Sequence, residues 1–120
     1  MKDLLVGIRI VDVTTIVMGP MASQILADLG ADVIKVEALD GDLARHSGAS
    51  GPDGMGALFA NNNRNKKSLA IDLRTAEGKA VMGRLLACSD VLMHNMRLEA
   101  AARLGLSCDA VRTINPSIIH

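Results

Sequence analysis

The stretch from Gly7 to Glu37 reads as strand, helix, strand, and that order limits the fold more than any other feature. Gly7-Ile-Arg-Ile-Val-Asp12 is a short, mostly apolar run that suits a buried strand. Gly19-Pro20 follows, and proline fits the first turn of a helix, where its missing N–H costs nothing. Met21, Ile25, Leu26 and Leu29 recur at helical spacing and predict an apolar helix face. Gly30 is placed to end that helix with a left-handed residue, and Ala31–Glu37 (ADVIKVE) predicts a second strand. A helix between two strands carries the chain back to the same end of the sheet, so the two strands run parallel.

The later segments continue the alternation. Lys67–Leu73 predicts a third strand, and Thr75 predicts the cap of a helix reaching Ala87, with Glu77 favourable in its first turn. Asp90–His94 predicts a fourth strand. Two short helices follow, Leu98–Leu104 ended by Gly105 and one from Ser107 to Ile114 broken by Asn115-Pro116. Ser117–His120 reads as the start of a fifth strand. Residues 38–65 show no clean period, are rich in glycine and read as a long loop, either a functional lid or a disordered segment, with a short helix fitting over Met55–Ala60. The fold class expected is α/β, a Rossmann-like three-layer fold with a mainly parallel sheet. Because the last strand looks unfinished, the chain is expected to be part of a longer one.

Composition narrows the function. Basic and acidic residues balance at 13 each, and Phe59 is the only aromatic residue, so a cationic surface with stacking rings for nucleic acid is not expected. The longest uncharged stretch, Val13–Ala27, is too short and too polar to span a bilayer. No secretory signal is recognisable at the start. Cys88 and Cys108 lack a CxxC arrangement and read as two reduced, buried thiols of a cytoplasmic protein. The charge is uneven: residues 1–60 carry four basic against eight acidic residues (net −4), and residues 61–120 carry nine against five (net +4). Such asymmetry reads most simply as a solvated surface, with a local anionic ligand as the alternative.

In open α/β sheets ligands sit beyond the carboxyl ends of the strands. Those positions here are Asp12–Gly19, Glu37–Asp42, Asp72–Thr75 and Asn95–Arg97. Arg74, Arg97 and Arg103 offer planar forks suited to phosphate, beside the helix starts at Pro20 and Thr75. Glu37 stands where a ribose-binding acid would, but the turn Val13-Thr-Thr-Ile-Val-Met-Gly-Pro20 has no G-x-G-x-x-G, which argues against a dinucleotide. Asp12, Asp72 and Asp90 read as turn and helix-end residues. His46, His94 and His120 lack metal-ligand spacing, and no G-x-S-x-G elbow is present. No self-contained catalytic constellation emerges.

Taken in order, these segments resemble the class III (CaiB/BaiF-type) CoA-transferases, which include formyl-CoA and carnitine CoA-transferases and α-methylacyl-CoA racemase. Leu5–Thr14 resembles the family's first strand. Gly19-Pro20 followed by Gln24-Ile-Leu-Ala-Asp-Leu-Gly-Ala-Asp-Val-Ile-Lys-Val-Glu37 carries the most specific likeness. Gly41-Asp42, Asn63–Ser68, Asp72–Thr75 with Glu77-Gly78, Ala87–Asn95, Arg103–Leu106 and Ile114–Pro116 follow in family order.

The resemblance implies that residues 1–120 are the N-terminal part of a large, CoA-binding, Rossmann-like domain, without the small domain. It implies no permanently bound cofactor; coenzyme A or acyl-CoA is the substrate and a carboxylic acid the acceptor. Ile16, Val17 and Met18 would lie beside the acyl and pantetheine end. Ile71 and Arg74 would lie around the adenosine diphosphate portion, and Asn95, Met96, Arg103 and Leu104 complete the implied contacts. Two positions depart from the family: Ala38 where Arg is frequent, and Met96 where Phe is usual. The family's aspartyl nucleophile and the racemase's His and Asp pair would lie past His120, so no catalytic residue is assigned and the 120 residues are expected not to turn over alone. Family members form interlocked homodimers. A racemase-like isomerase, or an inactive CoA-binding fragment, remains an alternative to the transferase.

Overall fold

The computed structural model describes residues 3–48 and 55–120. Four strands, β1 (Arg9–Asp12), β2 (Asp32–Glu37), β3 (Lys66–Ala70) and β4 (Val91–Met93), form one sheet in the order β3-β2-β1-β4. Every pairing among them is parallel, with Val11 beside Ile34 and Leu92. The expected α/β class is therefore what the chain adopts. Strands β1, β3 and β4 are shorter than the apolar runs suggested. Ile119 adds a single parallel bridge to Val91 at the β4 edge.

Among the described residues five helices flank the sheet: α1 (Met18–Asp28), α2 (Ala57–Asn62), α3 (Ala76–Ala87), α4 (Leu98–Arg103) and α5 (Cys108–Ile114). The caps follow the sequence reading. Thr75 and Ser107 each accept a backbone N–H with the hydroxyl, from Gly78 and Ala110. Gly30 after α1 and Gly105 after α4 sit at φ +102° and +77°, a backbone conformation strained for residues with a side chain. The long segment 38–65 holds more order than its irregular pattern suggested, with a 3₁₀ turn at Leu43–His46 and α2. The part of it at residues 49–54 lies outside the described residues.

The two faces of the sheet differ in chemistry. Val11, Val13, Val36 and Leu92 pack against Met82 and Leu86 of α3, Ala101 of α4 and Val111 of α5. On the other face Ile10 and Val33 pack against Ala27 of α1. Towards the strand ends that second face turns ionic, with Asp12 beside Lys35 and Lys35 beside Ser68 in register. Helix α1 matches this change: it buries Pro20, Ser23, Gln24 and Ala27.

That finding corrects the sequence reading of α1. The helix is where it was expected, but of Met21, Ile25 and Leu26 only Leu26 packs against the Ile10–Val33 cluster. Met21 and Ile25 are about half exposed, at 45% and 50%. Small and polar side chains let α1 approach the charged strand ends, so Met21 and Ile25 are left on the outer side. Cys88 is likewise exposed rather than buried, and both cysteines are free thiols. Among the described residues no helix is long and apolar enough to cross a membrane.

Candidate functional site

The sheet order reverses between β1 and β4, where the chain leaves in opposite directions and opens a crevice. The turns after these two strands are tied together there. Asn95 accepts from the Thr15 N–H and donates back to the Thr15 carbonyl, both at 3.1 Å. This pair brings Asn95 to the turn that holds Ile16, Val17 and Met18. Gly19 opens α1 at a point where a Cβ would lie 2.4 Å from Thr14, so only glycine lets the turn fold this tightly.

Beside the crevice lies a cleft of about 410 Å³, walled by residues 35–42 from the end of β2 onward, residues 71–74 after β3, and Met96 and Leu104. Ile71, Arg74, Met96 and Leu104 thus line one cleft. A second hollow shares Arg74 and Leu104 and adds Lys79, Ala100 and Arg103. Asn95 lines a third, with Thr14, Gly19, His94 and His120. The predicted residues therefore form a band of adjoining hollows rather than one pocket. Ile16, Val17 and Met18 stand on the turn at its edge, with Met18 77% exposed.

The band collects positive charge at its outer end. Arg74 is anchored by its own neighbour: its guanidinium grips both Asp72 oxygens, at 2.8 and 2.9 Å. The pair holds the Asp72 carboxyl down at about 2. Lys79, one helical turn past the Thr75 cap, reaches towards the Arg103 carbonyl. Sequence reasoning missed Lys79, although the cap at Thr75 fixes its place on the first turns of α3. Three cations, Arg74, Lys79 and Arg103, border this one hollow.

Underneath, the ends of β1, β2 and β3 carry a buried ionic layer that the sequence did not reveal. Lys66 Nζ contacts Asp12 at 3.0 Å, and Lys35 Nζ contacts Asp42 at 3.0 Å; all four side chains are at most 2% exposed. Burial pushes the Lys66 ammonium down, against the pull of Asp12. Glu37 is turned inward as well, gripped by Arg45 and bonded by the Asp42 N–H and the Ser68 hydroxyl. It is therefore committed to the protein and not to a ribose. Arg45 also lies flat on Phe59, 3.7 Å from the ring centre.

Burial would raise the carboxyls of Glu37 and Asp42. Arg45 and the Asp42 N–H outweigh it at Glu37, and the Ala44 N–H and Lys35 outweigh it at Asp42. Both groups end below their ordinary values of 4.5 and 3.8. A carboxyl depressed in the folded state takes up protons more readily when unfolded. Its stabilisation is complete above the ordinary value and disappears as pH falls through the folded one. The carboxylates' contribution to the urea midpoint should thus be level from pH 7 to 5 and drop below about pH 4.5, beneath any fall near pH 6.5 from His94, whose pKa is held below the usual value. Glu37→Gln should flatten part of that drop; an unchanged profile would contradict the assignment.

On the β4 side, His94 Nδ1 accepts the Met96 N–H, which leaves the proton on Nε2. Its ring lies 5.1 Å from that of His120. Burial and then His120 hold its pKa below the usual value.

Comparison with known proteins decides the family. A sequence model described as CoA-transferase family III matches residues 5–120. The chain belongs to that family. Its likeness includes a formyl-CoA:oxalate CoA-transferase of Streptomyces avermitilis, 40% identical over all of this chain and 29% of the relative. A probable fatty acyl-CoA transferase of Mycobacterium tuberculosis, Rv3272, is 43% identical over 95% of this chain and 29% of its own. Among solved structures, a CaiB/BaiF family protein from Brucella suis superposes with a TM-score of 0.92 at 38% identity, over 99% of this chain and 32% of that one. The chain thus spans under a third of the length of the relatives it matches. The α/β fold and the family expected from the sequence both stand.

Proposed function

We propose that this family III chain supplies part of the coenzyme site of an acyl-CoA:carboxylate CoA-transferase. The observation that carries the reading is the band of hollows at the strand ends. It runs from the Ile16–Met18 turn, past Asn95, to the cations Arg74, Lys79 and Arg103. Apolar walls from Ile71, Met96 and Leu104 suit the adenosine portion, and the cations suit its phosphates. The turn at the other end is left for the pantetheine arm and the acyl group.

The reaction moves coenzyme A from a thioester to a carboxylic acid through an aspartyl intermediate. Asp12, Glu37, Asp42 and Asp72 each face a cation in this chain. Such paired carboxylates are poor nucleophiles, so the reacting aspartate comes from sequence other than these four positions. The 120 residues bind coenzyme A and do not catalyse exchange alone. In full-length members the partner is a second copy of the chain.

Calorimetric titration of the purified protein tests this. Coenzyme A should give a saturable heat and NADH none. Arg103→Ala and Lys79→Ala should each weaken coenzyme A about tenfold, the effect of losing one charge-assisted contact. Equal binding of NADH, or affinity indifferent to both substitutions, would reject the reading.

A further inference from the structure

Ile16 holds a backbone conformation that its side chain opposes. Its φ is +74°, in the left-handed region, where a β-branched residue is an outlier. Asn65 shares that region, but asparagine tolerates it. Something outside the turn therefore has to hold Ile16.

The grip comes from β2 and the loop after it. The Ile16 N–H points at the Asp42 carboxylate, 3.1 and 3.2 Å from its two oxygens. The Thr14 carbonyl, on the other side of Thr15, accepts from Lys35 Nζ at 2.8 Å. Lys35 and Asp42 pair with each other at 3.0 Å, out of contact with water. One ion pair thus clamps both flanks of the strained step.

A buried ion pair is a poor source of net stability, because desolvating two charges offsets most of their attraction. Two apolar side chains of similar size would stabilise the core as well. They could not bond an N–H and a carbonyl of the turn. Backbone strain of this kind is held where a site needs a fixed shape.

We infer that Lys35 and Asp42 are positioning residues, which set the Ile16-Val17-Met18 turn and through it the place of the acyl end of a bound thioester. The inference rests on the coenzyme reading proposed above. It separates the two ends of the ligand. Lys35 and Asp42 also line the cleft of Ile71 and Leu104, but the hollow of Arg74, Lys79 and Arg103 offered to the phosphates is not lined by the pair. Losing the clamp should therefore harm the acyl end far more than the nucleotide end.

The test replaces the pair by apolar residues, Lys35→Met with Asp42→Leu, so that no lone charge is left buried. Two ligands are titrated, a short-chain acyl-CoA and adenosine 3′,5′-bisphosphate, and amide exchange is followed without ligand. The double variant should bind the acyl-CoA about tenfold more weakly, about 1.4 kcal/mol, and the bisphosphate within twofold of the parent. Its Ile16 amide should exchange at least tenfold faster, with Val11 of β1 unchanged. Equal weakening of both ligands would mark a general structural role and overturn the inference, as would an unaltered acyl-CoA affinity or an Ile16 amide as protected as before. A parent that binds neither ligand overturns the coenzyme reading and the placement of the acyl end with it. The exchange result then judges the clamp by itself.

Discussion

Asp12→Ala is expected to cost about 3–5 kcal/mol of folding stability, the penalty for breaking a buried ion pair on one side. Asp12 is fully buried at the end of β1 and accepts from the Thr14 N–H, the Thr14 and Ser23 hydroxyls and Lys66 Nζ. Without it, the Lys66 ammonium keeps only the Pro20 carbonyl, Ser23 and Asn63. Those groups are polar but uncharged, so the cation must lose its proton or drag water inward. Single domains have only about 5–15 kcal/mol to lose. The loss should appear as a large fall in the urea midpoint with little change in slope. Pairing Asp12→Leu with Lys66→Met should recover much of it, since no lone charge remains. A loss under about 1 kcal/mol for Asp12→Ala would show that the ionic layer is not set as described.

The second large effect lies in α3, where two glycines have opposite fates. A Cβ on Gly78 would stand 1.9 Å from the Asp72 carbonyl oxygen and 2.7 Å from its carbon. Backbone cannot swing aside as a side-chain end can, so the helix would have to lift off the end of β3. Overpacking of this severity costs about 3 kcal/mol, more than the roughly 1 kcal/mol that alanine gains over glycine in a helix. At Gly83 the nearest atom to a new Cβ is Ile114 Cδ1 at 4.0 Å, an ordinary contact. Gly83→Ala should therefore gain up to about 1 kcal/mol through helix propensity. Thermal midpoints of the two variants should move in opposite directions. Equal shifts would mean that the approach of α3 to Asp72 is looser than described. Because α3 also carries Lys79, Gly78→Ala should weaken coenzyme A as well.

What the sequence made legible was local. Strand–helix alternation, the Thr75 and Ser107 hydroxyl caps and the glycines at 30 and 105 each depend on residues a few positions apart. The candidate band was legible too, because parallel sheets place their loops at one end. What stayed hidden needed contacts across the sheet. Lys35 sits within a strand pattern that suits a solvated lysine, and only its register beside Asp12 and the approach of Asp42 explain its burial. Lys66 is 54 residues from the carboxylate it meets. The outward turn of Met21 and Ile25 follows from the same cause, since α1 must bring small and polar groups to that ionic layer. Hydrophobic spacing found the helix but could not say that the buried face would be the less apolar one.

The account centres on which hollow holds the coenzyme. The most direct measurement is a titration of the ¹⁵N-labelled protein with coenzyme A, read at each amide. Shifts are expected at Ile71, Arg74, Asn95, Met96, Arg103 and Leu104, with a second group at Ile16 and Met18. A different hollow lies below α2, lined by Arg45, Phe59 and Lys67 and also rich in cations. Shifts confined to Arg45, Phe59 and Lys67, with the strand-end band silent, would contradict the account.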